Sequence, residues 1–115
     1  MFRLWGKIWK NNRMAADTVI CDDSPDTRTH KVFRALDEIC YTFDLSKPIW
    51  LDTNIREFQK HAKVRFYQDS FIDSIDFDYL EIQVIEEDSY STDYVYRRDT
   101  LRYFFIFGSK IREAR

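Results

Sequence analysis

The most regular alternation of apolar and polar residues in this chain lies in residues 77–86. Alternate positions of an extended run fall on opposite faces, here Leu80, Ile82 and Val84 on one face and Tyr79, Glu81 and Gln83 on the other. Such alternation predicts a strand with one packed face and one hydrated face. Because neither Gly nor Pro interrupts it, we expect an inner strand of a sheet, with helices packed on its apolar side.

The N-terminal residues 2–10 fit two interpretations. As a strand, the run places Phe2, Leu4 and Ile8 on one face and Arg3, Trp5, Lys7 and Trp9 on the other. As a helix, it would form a basic amphipathic segment of membrane-surface type. We favour the strand, because the Asn pair at 11–12 tolerates the positive φ of a type I′ turn. A second strand candidate, residues 14–21, follows that turn and completes a hairpin.

Two helices are predicted between the hairpin and the strand at 77–86. In residues 26–44 apolar side chains recur at spacings of three and four, and charged ones such as Arg28, Lys31 and Arg34 take the opposite face. Residues 53–63 follow a cap signal at Asp52 and repeat the pattern over a shorter length. Residues 69–76 fit either a short helical turn or an irregular loop.

Composition narrows the fold class. At 115 residues the chain has the length of one domain. With only two Gly and two Pro it cannot hold a glycine-rich phosphate loop, and many tight hairpins are excluded. We therefore expect an α+β domain, in which the N-terminal hairpin and the strand at 77–86 form an antiparallel sheet packed by the two helices. Residues 89–115 either join this sheet or form a peripheral C-terminal extension.

Charge is distributed unevenly, although the net charge is only −2. Residues 1–16 carry four basic and no acidic side chains, residues 17–88 carry 17 acidic and 8 basic ones, and residues 89–115 carry 3 acidic and 6 basic ones. The acidic middle does not suit a general nucleic-acid binder. No apolar run is long enough to span a membrane, and two cysteines without a signal peptide indicate a cytoplasmic protein.

Aromatic residues make up 17% of the chain, a density that fills a small core but also favours interfaces. The candidates for binding a protein partner or a second copy are aromatic and apolar positions near the C-terminus: Tyr94, Tyr96, Leu101, Tyr103, Phe105 and Phe107. No motif points to catalysis or to a cofactor, and Cys40, on the inward face of the first helix, fits a small core hydrophobe. The leading prediction is a small non-enzymatic protein-interaction module.

Two other functions stand as alternatives. The hairpin offers a basic and aromatic platform for single-stranded nucleic acid, formed by Arg3, Trp5, Lys7, Trp9 and Arg13. Residues 69–88 contain eight carboxylates and no Lys or Arg, which suits a divalent-metal-dependent hydrolase. Its candidate ligands are Asp69, Asp73, Asp76 and Asp78, without the Gly and terminal Glu of an EF-hand loop. A solvated acidic surface explains the same carboxylates without any metal.

Part of the sequence resembles a known group of proteins. The resemblance is carried by residues 47–52 (Lys-Pro-Ile-Trp-Leu-Asp), Phe58, Phe71, Ile72 and residues 75–81 (Ile-Asp-Phe-Asp-Tyr-Leu-Glu). Together they look like a group of small uncharacterised bacterial proteins. The resemblance extends over residues 1–88, includes no catalytic motif and does not continue from residue 89 onward. It implies a bacterial cytoplasmic protein and no particular function.

Overall fold

The computed structural model describes residues 1–88. Within them the chain forms, in order, β1 (Phe2–Lys10), β2 (Arg13–Asp22), α1 (Arg28–Thr42), α2 (Asp52–His61), β3 (Lys63–Phe66) and β4 (Tyr79–Glu86). A short 3-10 turn, Gln68–Ser70, lies between the last two strands. The strands form one antiparallel four-stranded sheet in the order β2-β1-β4-β3. The predicted α+β fold is confirmed.

The N-terminal hairpin forms as predicted. β1 and β2 pair along their length, and Asn11 and Asn12 connect them with φ angles of 55° and 63°. Two successive residues in the left-handed region give a turn whose twist matches that of the flanking strands. Asn adopts this region more readily than most residues with a side chain, because its short amide can hydrogen-bond locally. One residue of β2, Ala15, has no partner on β1 and forms a bulge.

The strand with the regular alternation, β4, lies inside the sheet between β1 and β3, as its sequence predicts. It begins at Tyr79, two residues later than expected. The sequence does not predict β3, which is only four residues long and, within residues 1–88, pairs with β4 alone. Its one signal is the brief alternation of residues 64–67, which is too short to separate a strand from a loop by pattern.

Both helices form within or beside their predicted ranges. α1 begins at Arg28 because the hydroxyl of Thr27 accepts a hydrogen bond from the backbone N–H of His30 at 3.2 Å, which caps the helix. α2 ends at His61, because Ala62 has a φ of 55° and donates its N–H back to the carbonyl of Phe58 at 2.8 Å. The first predicted helix is two residues too long at each end, and the second begins one residue late and ends two residues late, as is usual for helix boundaries.

A buried amide fixes α2 against the segments that follow it. The side-chain oxygen of Asn54 accepts hydrogen bonds from the backbone N–H of Leu51 at 2.9 Å and from the hydroxyl of Ser70 at 3.1 Å. Its nitrogen donates to the carbonyl of Arg65 at 3.2 Å. Since a buried polar group without partners is costly, these bonds hold the start of α2, β3 and the 3-10 turn in one arrangement.

The core lies between the two helices and one face of the sheet, which we call the inner face. The buried side chains of the inner face are Phe2, Leu4 and Ile8 of β1, Val64 and Phe66 of β3, and Leu80 and Ile82 of β4. The helices cover them with Val32, Ala35, Leu36, Ile39, Cys40 and Phe58. Burial of this much apolar area is the main force that holds the helices on the sheet.

One side chain of α1 contradicts the predicted helix pattern. Lys31 is 0% exposed, although the sequence assigns it to the charged face. It lies one turn before Ala35, which is buried, so the geometry of the helix places both on the inward face. Its ammonium donates to Oδ2 of Asp88 at 2.7 Å, and this bond lowers the pKa of Asp88. The pairing offsets the cost of removing both charges from water.

The close approach of α1 to β1 at Gly6 gives a stability prediction. A Cβ atom at Gly6 would lie 2.7 Å from Cγ2 and 2.8 Å from Cδ1 of Ile39, which is fully buried and has no room to move. We expect Gly6→Ala to lower the free energy of unfolding by about 2 kcal/mol through overpacking. Urea unfolding followed by tryptophan fluorescence measures this change.

A double variant is the control for this contact. Removing the side chain of Ile39 leaves room for the new methyl group, so Gly6→Ala combined with Ile39→Ala should lose less stability than the sum of the two single changes. Strict additivity would contradict the assignment of the Gly6 effect to Ile39.

Candidate functional site

The outer face of the sheet, opposite the helices, holds the candidate functional side chains. The strand register aligns them in rows that cross the sheet. The charged row consists of Asp17, Lys7, Glu81 and Arg65, one residue from each strand. The Trp5 row, on one side of it, consists of Val19, Trp5, Gln83 and Lys63. The aromatic row, on the other side, consists of Met14, Trp9, Tyr79 and Tyr67, the last of which directly follows β3.

The carboxylate of Glu81 is the centre of the charged row. Its Oε1 accepts from the indole N–H of Trp9 at 2.9 Å and lies 3.3 Å from the ammonium of Lys7. Its Oε2 lies 3.4 Å from Nε of Arg65 and 3.9 Å from Nζ of Lys63. The prediction of a hydrated position is wrong, because these cross-strand neighbours leave Glu81 only 2% exposed.

The ammonium of Lys7 interacts with an aromatic ring as well as with the carboxylate of Glu81. Its ammonium lies 4.0 Å from the centre of the Trp5 ring, and it donates to Oε1 of Gln83 at 3.0 Å. The indole N–H of Trp5 donates in turn to Oδ2 of Asp17 at 2.9 Å. A cation over an aromatic face is stabilised more strongly when it is shielded from water, and Lys7 is buried. The charge of Lys7 is therefore compensated within the face.

The surroundings of Glu81 keep it ionised. Burial alone would raise the pKa of this carboxyl group. The attraction to Lys7 and the hydrogen bonds from Lys7, Trp9 and Arg65 outweigh burial, so the pKa of Glu81 lies below its ordinary value of 4.5. The same shielding from water strengthens the attraction between the carboxylate and the ammonium.

Aromatic and aliphatic side chains border the charged row. The ring of Tyr79 lies 6.3 Å from that of Trp9 and 5.2 Å from that of Tyr67, between centroids. The guanidinium of Arg65 lies 4.8 Å from the centre of the Tyr79 ring. Tyr67 is 48% exposed, and Met14, at the other end of the aromatic row, is exposed as well. The outer face thus combines a satisfied charged centre with an exposed apolar border.

The structure brings together four of the five residues of the nucleic-acid hypothesis. Arg3, Trp5, Lys7 and Trp9 lie on the outer face of β1, whereas Arg13 lies beside the hairpin turn, opposite Lys10. Arg3 pairs with Glu86, at 2.6 Å between Nε and Oε1. The other cations of this face, Lys7, Lys63 and Arg65, all lie within salt-bridge distance of Glu81. Three carboxylates of this face, Glu81, Glu86 and Asp17, stand against these four cations, so most of the positive charge that would attract phosphate is already compensated.

The four candidate metal ligands are not brought together. Asp69, Asp73, Asp76 and Asp78 are all exposed. Oδ2 of Asp78 accepts from the backbone N–H of Asn11 at 2.9 Å, so this carboxylate supports the hairpin turn. Among residues 1–88, no group of three or more His, Cys, Asp or Glu side chains is arranged to hold a metal ion.

Other predicted positions lie elsewhere. The predicted partner-binding residues fall outside the described part of the chain and stay a prediction: Tyr94, Tyr96, Leu101, Tyr103, Phe105 and Phe107. Cys40 is buried in the core as expected, and burial raises the pKa of its thiol to about 11, so the thiol stays protonated. In the described residues, neither helix is long and apolar enough to cross a membrane.

An acidic cleft of about 630 Å³ lies where β2 ends and α1 begins. Arg34 bridges its two sides, with Nη2 at 2.6 Å from Oδ2 of Asp22 and Nη1 at 3.0 Å from Oδ2 of Asp26. Partial burial raises the pKa of each carboxyl group. Hydrogen bonds outweigh it, chiefly from Arg34 at Asp22 and from His30 and Arg34 at Asp26, and hold both pKa values at about 2. Asp23 and Glu38 also line the cleft, so its net charge is negative.

Comparison with known proteins adds no functional assignment: no protein-family model, curated protein or solved structure matches this chain.

The residues that sequence reasoning missed in this face come from β3. Lys63, Arg65 and Tyr67 were not candidates, because β3 was not predicted and nothing placed these side chains beside Glu81. The signal that could have found them is the alternation of residues 64–67 after α2. It puts Val64 and Phe66 on one face and the basic and tyrosine side chains on the other.

The charged row gives a prediction of pH-dependent stability. At pH 7 we expect Glu81→Gln to lower the free energy of unfolding by about 3 kcal/mol, because it leaves buried Lys7 without its carboxylate. The pKa of Glu81 is depressed by folding, so its ionised form stabilises the native state above the ordinary value of 4.5. That stabilisation is lost as the pH falls below 4.5 and through the lower pKa of the folded state.

Urea unfolding at a series of pH values tests this prediction. The gap between wild type and Glu81→Gln should narrow on acidification. The matched control is Glu87→Gln, since Glu87 pairs with Arg28 on the surface and its loss should change stability by about 0.5 kcal/mol. A gap that is the same at pH 3 as at pH 7 would show that the carboxylate charge is not what Glu81 contributes.

Proposed function

We propose that this chain is a small protein-interaction module that binds its partner through the outer face of the sheet. One observation carries the proposal: a charged centre whose groups satisfy one another is bordered by exposed aromatic and aliphatic side chains. The surface is presented by four paired strands and backed by a packed core, so it is rigid before binding. Rigid aromatic side chains lose little conformational freedom when they are covered.

The residue types of the outer face support this proposal. Trp, Tyr and Arg dominate the binding energy of protein interfaces, because each buries a large area and offers directional polar contacts. Here Trp9, Tyr79, Tyr67 and Arg65 are neighbours. Trp5 adds a second ring on the other side of the charged row. A cluster of this kind is a suitable centre for a protein interface.

The electrostatics favour a protein partner over a nucleic acid. An unpaired charge that a partner covers loses its water without compensation, whereas Lys7 and Glu81 already compensate each other. A partner can therefore cover the charged row at low cost. A nucleic acid would instead need cations that are available to phosphates. The basic groups of this face are engaged with Glu81 and Glu86.

We place the module in a bacterial cytoplasm and assign it no catalytic activity. The resemblance of residues 1–88 to small bacterial proteins supports the setting.

A charge placed on the border of the outer face should abolish binding. Tyr67→Glu puts a carboxylate where the proposed partner packs against the aromatic row. We expect it to weaken capture of the partner by about tenfold or more, as the loss of a central aromatic anchor does. The measurement is a pull-down with the tagged full chain from nuclease-treated lysate, with the bound protein quantified against the bait.

The matched control is Tyr41→Glu, the same substitution on α1, where Tyr41 is 89% exposed and lies away from the outer face. Melting temperatures of both variants establish that each is folded. A protein captured at stoichiometric amounts by wild type and by Tyr41→Glu, and lost with Tyr67→Glu, supports the proposal. Equal capture by both variants would overturn it.

Single-stranded nucleic acid is the second candidate, favoured by the common location of Arg3, Trp5, Lys7 and Trp9 on one face. This function predicts quenching of tryptophan fluorescence by an oligonucleotide, with an affinity that falls steeply as salt is raised. Lys7→Gln should weaken that binding. Quenching that is absent, or indifferent to salt, would exclude it.

A further inference from the structure

β2 has an unusually open edge for a strand of its length. It is ten residues long, pairs only with β1 among the described residues, contains neither Pro nor Lys, and is interrupted only by the bulge at Ala15 near its start. The opposite edge of the sheet, β3, is four residues long and carries Lys63 and Arg65. Natural sheets usually protect a long edge, because its unpaired N–H and C=O groups bind another strand. β2 therefore has the character of an interface.

The charges near β2 identify what fits this edge. Its first residue, Arg13, and the neighbouring Lys10 are exposed and basic. Its last residue, Asp22, and the next, Asp23, belong to the acidic cleft, which keeps a net negative charge although Arg34 pairs with Asp22 and Asp26. In an antiparallel pair of two identical strands, the basic start of each lies beside the acidic end of the other. This complementarity occurs at both ends of the pair, so β2 is complementary to a second copy of itself.

We infer that two copies of this chain pair through β2, antiparallel and edge to edge, and join their sheets into one. A twofold axis perpendicular to the sheet keeps each face continuous, so residues that oppose each other must share a face. An axis through Thr18 meets this condition and places it opposite Thr18 of the second copy. Because Ala15 is the extra residue of the bulge, the pairing shifts by one residue beyond it, and Arg13 of one copy lies opposite Asp22 of the other.

The neighbouring registers are less favourable. An axis through Asp17 would place two carboxylates directly opposite each other, which destabilises a strand pair. An axis through Val19 would place Arg13 of one copy beyond Asp22, the last residue of β2 in the other copy. The pairing of basic and acidic strand ends would then be lost. The axis through Thr18 instead pairs two Thr side chains, a favourable cross-strand pair. It also sets Ala16 beside Ile20 on the inner face.

The dimer would extend the outer face across both copies. Val19, exposed at the β2 end of the Trp5 row, would lie beside the charged row of the second copy. Both pairs of helices would remain on the inner side. The inference goes beyond the proposed function and does not depend on it, because Tyr67 lies at the opposite end of the sheet from β2.

Sedimentation velocity of the full chain over a concentration series tests the dimer. We expect a monomer–dimer equilibrium that weakens as salt is raised, and Arg13→Asp should raise its dissociation constant by about tenfold. The matched control is Arg56→Asp, the same change of charge on exposed α2, which should leave the equilibrium unchanged. A chain that is monomeric at every concentration overturns the inference, as does a dimer that both variants weaken equally.

Cysteine cross-linking tests the register with proteins that keep the strand charges intact. In a Cys21→Ser background, Thr18→Cys faces its own copy across the axis and should form an intermolecular disulfide under mild oxidation. Val19→Cys, one residue along and opposite Asp17 of the other copy, is the control and should cross-link much more slowly. Faster cross-linking at position 19 than at position 18 would overturn the proposed pairing.

Discussion

The structure depends most on the carboxylate of Glu81 in β4, which connects β4 to both neighbouring strands. Lys7 and Trp9 reach it from β1, and Arg65 reaches it from β3. A shift of either neighbouring strand by one residue would turn these donors to the other face of the sheet. The inner face alone tolerates more freedom, because apolar side chains attract one another without direction. The charged row thus selects the register, and the core supplies most of the stabilisation.

The two faces of the sheet consequently differ in how they respond to change. On the inner face, Gly6 lets Ile39 of α1 approach β1 so closely that a single methyl group has no space. On the outer face, charge and hydrogen bonding constrain the residues around Glu81. Met14 and Tyr67, at the border of this face, are exposed and can be substituted without disturbing those contacts. A binding surface of this design can change its partner by changing its border without disturbing the fold.

The sequence predicts the parts of this molecule that local patterns determine. Asn11 and Asn12 identify the hairpin turn, and the alternation around Ile82 identifies β4. The sequence does not predict which polar side chains are shielded from water by residues that are distant in the chain. The sequence predicts a solvent-exposed Glu81, because period-2 alternation shows on which face of the sheet a residue lies. It does not show which side chains of the neighbouring strands cover that residue. Its cover comes from Trp9, which is 72 residues away in sequence. The prediction for Lys31 is wrong for the same reason: a charged residue in a helix pattern predicts exposure, and its partner, Asp88, lies 57 residues away.

The order of the strands in the sheet has a consequence for synthesis on the ribosome. Of the described elements β1 is made first, yet one of its two neighbours, β4, is made last. A nascent chain that has reached only β3 contains Trp5, Lys7 and Trp9 but not Glu81. Its hairpin therefore exposes two indole rings and an ammonium that lacks its buried partner Glu81 until residue 86 has emerged. During that interval the hairpin presents exposed aromatic surface of the kind that chaperones bind, and pairing with β4 covers that surface.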